Sequence, residues 1–470
     1  MAKSTFLRAL PLAVSVSASG LYSTYDFNPL HHLTGIAPYF EPQDPPASPD
    51  APQGCTAERA AYLVRHAAIY ANDFDYEEYI EGFVKKLGNT TVDWTKVPEL
   101  SFLAGWNAPI SDDEISLLTR VGRLEATQLG VDLNFRYPNF SVPRQVWTSS
   151  ASRTLQSAKS FARGLEEDES SIKINSVYES KESGADSLTP YKACPAYSSS
   201  AGSDESDEFT DQYTKPIVAR LKKAAPGFNF TDKDIFGMQQ LCGYETVIRG
   251  KSPFCSLKLF TPDDWLAWEY SEDVRYHYNV GYGSNVAGYN GLPWLKATGE
   301  LLMSNAKTGS NANSSGHVDD LLVSFTHREL PPMVIVAMGL FNNSDFGGAS
   351  NVNDTMPTNR INYRRAWKSS NILPFLGNIA IERLQCRGSY GYDDGEFYRV
   401  LVNSAPQPLP SCADGPGTSC SRDAFGQYLK ERTDRFSGFT EHCRATYKNS
   451  TDIMSLYAAR NNSTIRRTQN

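Results

Sequence analysis

The sequence has no excess of positive charge: 45 Lys and Arg stand against 53 Asp and Glu, a formal net charge of −8. That balance speaks against a nucleic-acid partner, because a backbone of phosphates is held by an overall or strongly clustered positive field. The chain also lacks any later apolar stretch of membrane-spanning length, so no bilayer-crossing segment and no membrane partner are expected. There is no CxxC pair, no HExxH, no GxSxG elbow and no GxxxxGK[ST] loop, which removes the usual zinc, redox-dithiol, serine-hydrolase and P-loop chemistries. Gly281, Gly283 and Gly288 cluster without completing GxGxxG, and no internal repeat is visible, so neither a dinucleotide site nor a solenoid is expected. No histidine spacing suggests a metal, and no cofactor is expected.

What is present points to a large, exported globular protein. At 470 residues, with 40% apolar and 12% aromatic residues, the chain can bury a sizeable core and exceeds the usual size of a single one. Lys3 and Arg8 precede an apolar run from Ala9 to Ala18, and Val16, Ser17 and Ala18 are small enough for a signal peptidase, so residues 1–18 read as an export signal. Losing those two bases would take the net charge from −8 to −10. An anionic substrate would then have to meet locally clustered cations. The eight cysteines, Cys55, Cys194, Cys242, Cys255, Cys386, Cys412, Cys420 and Cys443, are even in number and favour four disulfides in an oxidising compartment. Cys242 with Cys255 and Cys412 with Cys420 are plausible local pairs, while spacing leaves the other four open. Sequons at Asn89, Asn139, Asn229, Asn313, Asn342, Asn353, Asn449, Asn461 and Asn462 predict N-linked glycans on a protein secreted to the medium or cell wall.

Along the chain, the proline-rich stretch Pro38–Pro52 reads as an extended wrap. Ala60–Arg65 reads as a strand, followed by a helix with Phe74, Tyr79, Phe83 and Leu87 at helical spacing. Val146–Ser149 and the helix carrying Leu155, Ala158, Phe161, Ala162 and Leu165 repeat the pattern, with Ser152 as the expected N-cap. Leu321–Thr326 and a helix opened by Pro331 and Pro332 repeat it again. Three strand-then-helix units predict an α/β fold, an open, mostly parallel sheet flanked by helices, with an inserted, mainly helical smaller domain. The expected division is 19–165 and 301–470 for the α/β part and 166–300 for the insertion. Within the insertion, Ser198–Glu208 reads as a polar loop. Ser304–Ser315 reads as a loop, and Phe397–Asn403 as a late strand.

Ligands of open α/β sheets bind beyond the carboxyl ends of the strands, which directs attention to Arg65 and His66, to Arg153, and to His327, Arg328 and Glu329. Guanidinium groups, imidazoles and a helix N-terminus converging on one point make an anion site, since forked N–H donors match phosphate oxygens. His31, His32, His277, His317 and His442 belong to no such constellation.

The segment Leu63–Ala71 resembles the RHGxRxP signature of the histidine acid phosphatases: Arg65 and His66 match, while Ala67, Ile69 and Ala71 stand where the motif has glycine, its second arginine and proline. Asn28–Pro42, Thr148–Gly164 around Arg153, Ser252–Trp265, Trp367–Cys386 and Arg399–Cys412 resemble the fungal phytase-like branch, so the likeness covers nearly the whole mature chain. The resemblance implies the phosphoglycerate-mutase-like fold, hydrolysis of phosphate monoesters through a phosphohistidine on His66, and phosphate held by Arg65, Arg153 and His327. Arg328 stands where the family has its late aspartate. A related branch acting on inositol polyphosphates uses His-x-Glu, which makes Glu329 the candidate acid. Ile69 removes one donor, and Arg328 is the candidate replacement. The acidic run Asp73, Asp75, Glu77, Glu78 and Glu81 follows the motif, where carboxylates would repel a polyphosphorylated substrate. Two other readings stand beside this one: a phosphatase-like extracellular glycoprotein that has lost activity and binds, and a phosphotransferase of the wider superfamily.

Overall fold

The computed structural model describes residues 27–42, 44–305, 318–343 and 355–457. The expected export signal, the loop from Ser304 beyond residue 305, and the sequons at Asn313, Asn353, Asn461 and Asn462 lie outside them. Eight strands form one sheet: β1 Cys55–Arg65, β2 Gln145–Ser149, β3 Lys173–Val177, β4 Leu321–Thr326, β5 Asn378–Cys386, β6 Gly395–Val402, β7 Ala405–Gln407 and β8 Cys420–Ser421. Their order is β3-β2-β4-β1-β5-β6-β7, with β8 beside β6. β3, β2, β4 and β1 run parallel, and β5 joins β1 antiparallel. The expected α/β architecture with a mostly parallel sheet is therefore present, extended by an antiparallel wing.

β1 is central and buried on both faces, which explains its near-continuous apolar run. Its alternation still sorts side chains: Ala60, Tyr62 and Val64 enter one core with Phe161 and Phe325, while Ala61 and Leu63 enter the other with Trp294 and Met333. After β1 come α1 Asp73–Asp75, a π turn Tyr76–Ile80 and α2 Glu81–Gly88 in unbroken succession. They are followed by α3 Arg120–Arg136, α4 Ser152–Leu165, α5 Ser203–Ala224, α6 Asp232–Arg249, α7 Pro262–Asn279, α8 Ala287–Met303, α9 Leu330–Met338 and α10 Arg422–Phe436. The π turn rotates the predicted stripe: Ile80 and Phe83 are buried, and Phe74 is exposed.

Three local expectations are corrected. Ser152 is the first helical residue of α4, and the N-cap is Ala151, which has no side-chain oxygen to cap with. The polar run expected to be loop through Glu208 turns helical at Ser203, because Gly202 takes a left-handed φ of 82° and starts α5. The segment 166–300 also supplies an edge strand of the sheet, β3, which pairs in parallel with β2.

Four disulfides join Cys55 to Cys386, Cys194 to Cys443, Cys242 to Cys255 and Cys412 to Cys420. The two local pairs suggested by spacing are among them. The proline-rich wrap is tied down by guanidinium groups: Arg136 donates to the Pro49 carbonyl at 2.6 Å and Arg399 to that of Asp50 at 2.7 Å. Both arginines also meet the buried Glu382, whose carboxylate accepts from Tyr137 Oη at 2.6 Å and from Arg399 Nε at 2.8 Å.

Candidate functional site

The register of the central strands builds the site. Arg65 pairs with Thr326 across β1 and β4, so the next residues, His66 and His327, emerge side by side from two parallel carboxyl ends. The His66 backbone N–H donates to Thr326 O at 2.8 Å, and the two rings stand nearly perpendicular, with centroids 5.7 Å apart. The next strand in the sheet, β2, ends at Ser149 and leads directly into α4, whose second residue is Arg153. Orphan amides at the N-terminus of α4 thus face the same region as the imidazoles.

The loop after β1 is held from two sides. Ser157 of α4 accepts the Ala67 N–H at 2.9 Å and donates to the Arg153 carbonyl at 2.7 Å, tying the loop after His66 and the Arg153 turn together. On the other side the Ala68 carbonyl accepts from Thr119 N at 3.0 Å, and Ile69 bridges Leu118. α3 approaches so closely that a Cβ on Gly122 would lie 2.3 Å from the Ala68 carbonyl oxygen. Ile69 packs in the core beneath, 4% exposed, so it cannot supply a donor in place of arginine.

His66 is 3% exposed, and its Nδ1 lies 2.9 Å from the Ala67 carbonyl oxygen. A carbonyl only accepts, so Nδ1 carries the proton and Nε2 keeps its lone pair. Burial, then Arg65, Arg153 and His327, push the imidazole well below its usual range, which keeps it neutral in acid. Arg65 is fixed by two carbonyls from distant segments, Gly35 at 2.5 Å and Leu373 at 2.6 Å, and stacks over Phe375 at 4.5 Å. Burial draws its guanidinium down to about 10, still fully charged in acid. The Nε atoms of Arg65 and Arg153 are buried without a partner among the described residues.

His327 is 2% exposed and is lowered by burial, against which its bond to Glu179 pulls upward. Glu329 follows two residues later. Burial pushes its carboxyl up, but Arg328, His327 and Arg153 outweigh this and hold it below the usual carboxylate range. Arg328 Nε lies 3.2 Å from Glu329 Oε1, and its guanidinium sits over Tyr276 at 5.9 Å. The site residues predicted from sequence therefore gather at one end of the sheet: Arg65, His66, Arg153, His327, Arg328 and Glu329. His31 and His32 lie in the N-terminal turn, where His31 stacks on Phe40 and His32 on Phe27.

Sequence reasoning missed Glu179. It lies just beyond β3, and its Oε1 is 2.9 Å from His327 Nε2 while Lys192 pairs with its other oxygen. Reading β3 as a strand would have placed Glu179 at the carboxyl edge with the others. Among the described residues no group of three His, Cys, Asp or Glu side chains could hold a metal ion, and no helix is long and apolar enough to cross a membrane. Two carboxylates of the acidic run after the motif have partners: Asp75 is buried, accepts from Tyr244 Oη at 2.5 Å and acts electrostatically on Arg328, and Glu78 pairs with Lys233.

In sequence and in fold the chain is similar to known phosphatases. The model of the histidine phosphatase superfamily, branch 2, matches residues 58–403. A phytase of Candida albicans is 30% identical over 428 residues, covering 87% of this chain and 86% of that protein. An acid phosphatase of Komagataella pastoris is 28% identical over 431 residues, covering 89% and 86%. The crystal structure of the phytase from D. castellii superposes with a TM-score of 0.79 at 26% identity, covering 92% of this chain and 90% of that one.

Proposed function

Because the chain belongs to branch 2 of the histidine phosphatase superfamily, we propose that it is a secreted acid phosphatase that hydrolyses phosphate monoesters through a phosphohistidine on His66. The observation that carries the reading is the strand register that sets His66 beside His327, with the Arg65 and Arg153 guanidiniums electrostatically coupled to the same imidazole. Nε2 of His66 attacks phosphorus in line, forming the N–P bond as the P–O bond to the alcohol breaks. Arg65, Arg153 and protonated His327 hold the equatorial oxygens, where negative charge gathers in a loose transition state. Arg328 supplies the cation that Ile69 cannot.

Glu329 gives its proton to the departing alkoxide, then takes one from water as hydroxide attacks phosphorus and frees His66 and phosphate. Arg328, His327 and Arg153 favour Glu329 ionised. A bound phosphate dianion offsets the charges of Arg153, Arg328 and His327, and so lets the carboxyl hold a proton in mild acid.

Small monoesters fit better than polyphosphates such as phytate, although relatives of both names exist. Arg275 and Lys192, cations that could receive further phosphates, are already paired with Glu272 and Glu179. Four disulfides and exposed sequon residues Asn89, Asn139, Asn229 and Asn449 support secretion as a glycoprotein.

The test is phosphate release from 4-nitrophenyl phosphate and from phytate in mild acid, with alkaline-quench trapping of an acid-labile, alkali-stable phosphoenzyme. Wild type should turn over and label, and His66→Ala should do neither. Equal rates for the two proteins would end the proposal. The buried Ile69 favours one other reading, a relative that binds phosphate esters without hydrolysing them. Micromolar vanadate binding with no turnover in wild type would establish it.

A further inference from the structure

His327 occupies an unusual setting for a phosphate ligand. Its ring is buried, Nε2 faces a carboxylate at 2.9 Å and Ser149 Oγ at 3.5 Å, and Nδ1 is buried without a partner among the described residues. The carboxylate belongs to Glu179, which also accepts the Ala151 N–H at 3.2 Å. Ala151 is the N-cap of α4 and cannot cap itself, so Glu179 satisfies an orphan amide at the turn that carries Arg153. One side chain thus connects the late histidine and the arginine helix, and Lys192 anchors it from the solvent side.

We propose that Glu179 is a positioning residue for phosphoryl transfer: by binding Nε2–H of His327 it keeps that imidazole doubly protonated and presents Nδ1–H to a phosphoryl oxygen. This deepens the phosphatase reading and rests on it. A carboxylate can only accept, so a proton must sit on Nε2 whenever the pair is formed, and a second proton on Nδ1 then serves the substrate. The other charges facing His327 are His66 from the end of β1, Arg153 from α4 and Glu329 from the turn before α9. Arg153 and a protonated His66 oppose charge on His327, while Glu329 and Glu179 favour it. Of the two carboxylates, Glu179 is the one in direct hydrogen-bond contact. Burial lowers the His327 pKa and the bond to Glu179 raises it, so the partner helps to set how far up the pH scale the imidazolium survives.

The sign follows. The active form carries the proton on His327, so activity is lost as pH rises through its pKa. Removing Glu179 lowers that pKa and brings the basic limb of the pH profile to lower pH.

The experiment compares wild type, Glu179→Gln and Lys192→Gln by histidine ring NMR titration of the ligand-free protein and by kcat/KM across pH on 4-nitrophenyl phosphate. His327 is assigned with His327→Gln. In Glu179→Gln the His327 midpoint and the basic limb should both fall by about 1–3 pH units, with kcat on the acid plateau within about threefold of wild type. Lys192→Gln removes a competing cation and should move both upward. A purely structural ion pair would instead lower kcat at all pH values and leave the midpoint where wild type has it, and that result overturns the proposal. If wild type hydrolyses no ester, the phosphatase reading fails, while the NMR midpoints of the two variants still decide whether Glu179 controls His327.

Discussion

Arg153→Ala offers the most decisive perturbation of the site, because Arg153 acts on His66, His327 and Glu329 at once. Two effects should separate. The first is lost stabilisation of transferred phosphoryl charge: removing one preorganised donor costs about 3–4 kcal/mol, so kcat should fall about 10²–10³-fold. The second is electrostatic. His66 is kept neutral in acid by burial, then by Arg65, Arg153 and His327, and it must be neutral to attack. Its protonation should therefore define the acid limb of kcat/KM. Without Arg153 the His66 pKa rises, and the acid limb should move up by about one unit, equivalent to about 1.4 kcal/mol. Arg153→Lys separates the two effects, since lysine keeps the charge but lacks the planar fork. Its limb should stay near wild type while kcat remains depressed. Release of 4-nitrophenol in quenched time points from pH 2 to 7 measures all three proteins. An Arg153→Ala enzyme within fivefold of wild type, with an unmoved acid limb, would refute the assignment.

Arg328→Ala should lower kcat/KM for an aryl phosphate at least tenfold, and unchanged turnover would show that Arg328 does not replace the donor missing at Ile69. Gly122→Ala must displace the Ala68 carbonyl from a 2.3 Å contact. Such overpacking should cost about 1–3 kcal/mol in urea melts and lower kcat, since the displaced loop carries His66. Glu382→Ala leaves the buried Arg399 guanidinium without its carboxylate and should destabilise by about 3–5 kcal/mol, read by urea denaturation, with kcat near wild type in buffer because Glu382 lies outside the site.

Much of this arrangement was legible because the chemistry sits at ends of strongly apolar runs. His66 and His327 each follow a strand of the parallel half of the sheet that is buried on both faces, and the near-continuous apolar run that marks such a strand also marks where it stops. Arg153 was visible for a similar reason, at the start of a helix with a clear apolar face. Glu179 was not, because β3 is a five-residue edge strand, KINSV, with polar Asn175 and Ser176 and a neighbour on one side only. Short edge strands need little apolar surface, so they leave a weak pattern. The pairing of Glu179 with His327 spans 148 residues and follows from tertiary structure alone. Ser152 was misplaced by one residue because the cap of α4 comes from another segment, and local capping rules see only the chain neighbours of a helix.

The position of β1 in the sheet has a consequence for biosynthesis. It emerges from the ribosome first of all the strands, yet its neighbours β4 and β5 begin at Leu321 and Asn378. At about 5–20 residues per second, the apolar run Ala60–Val64 waits tens of seconds for a hydrogen-bonded neighbour. Over that interval the run has no sheet partner to cover it. Arg65 is locked only when the carbonyl of Leu373 arrives, so a chain stalled before its last hundred residues should be catalytically silent as well as adhesive.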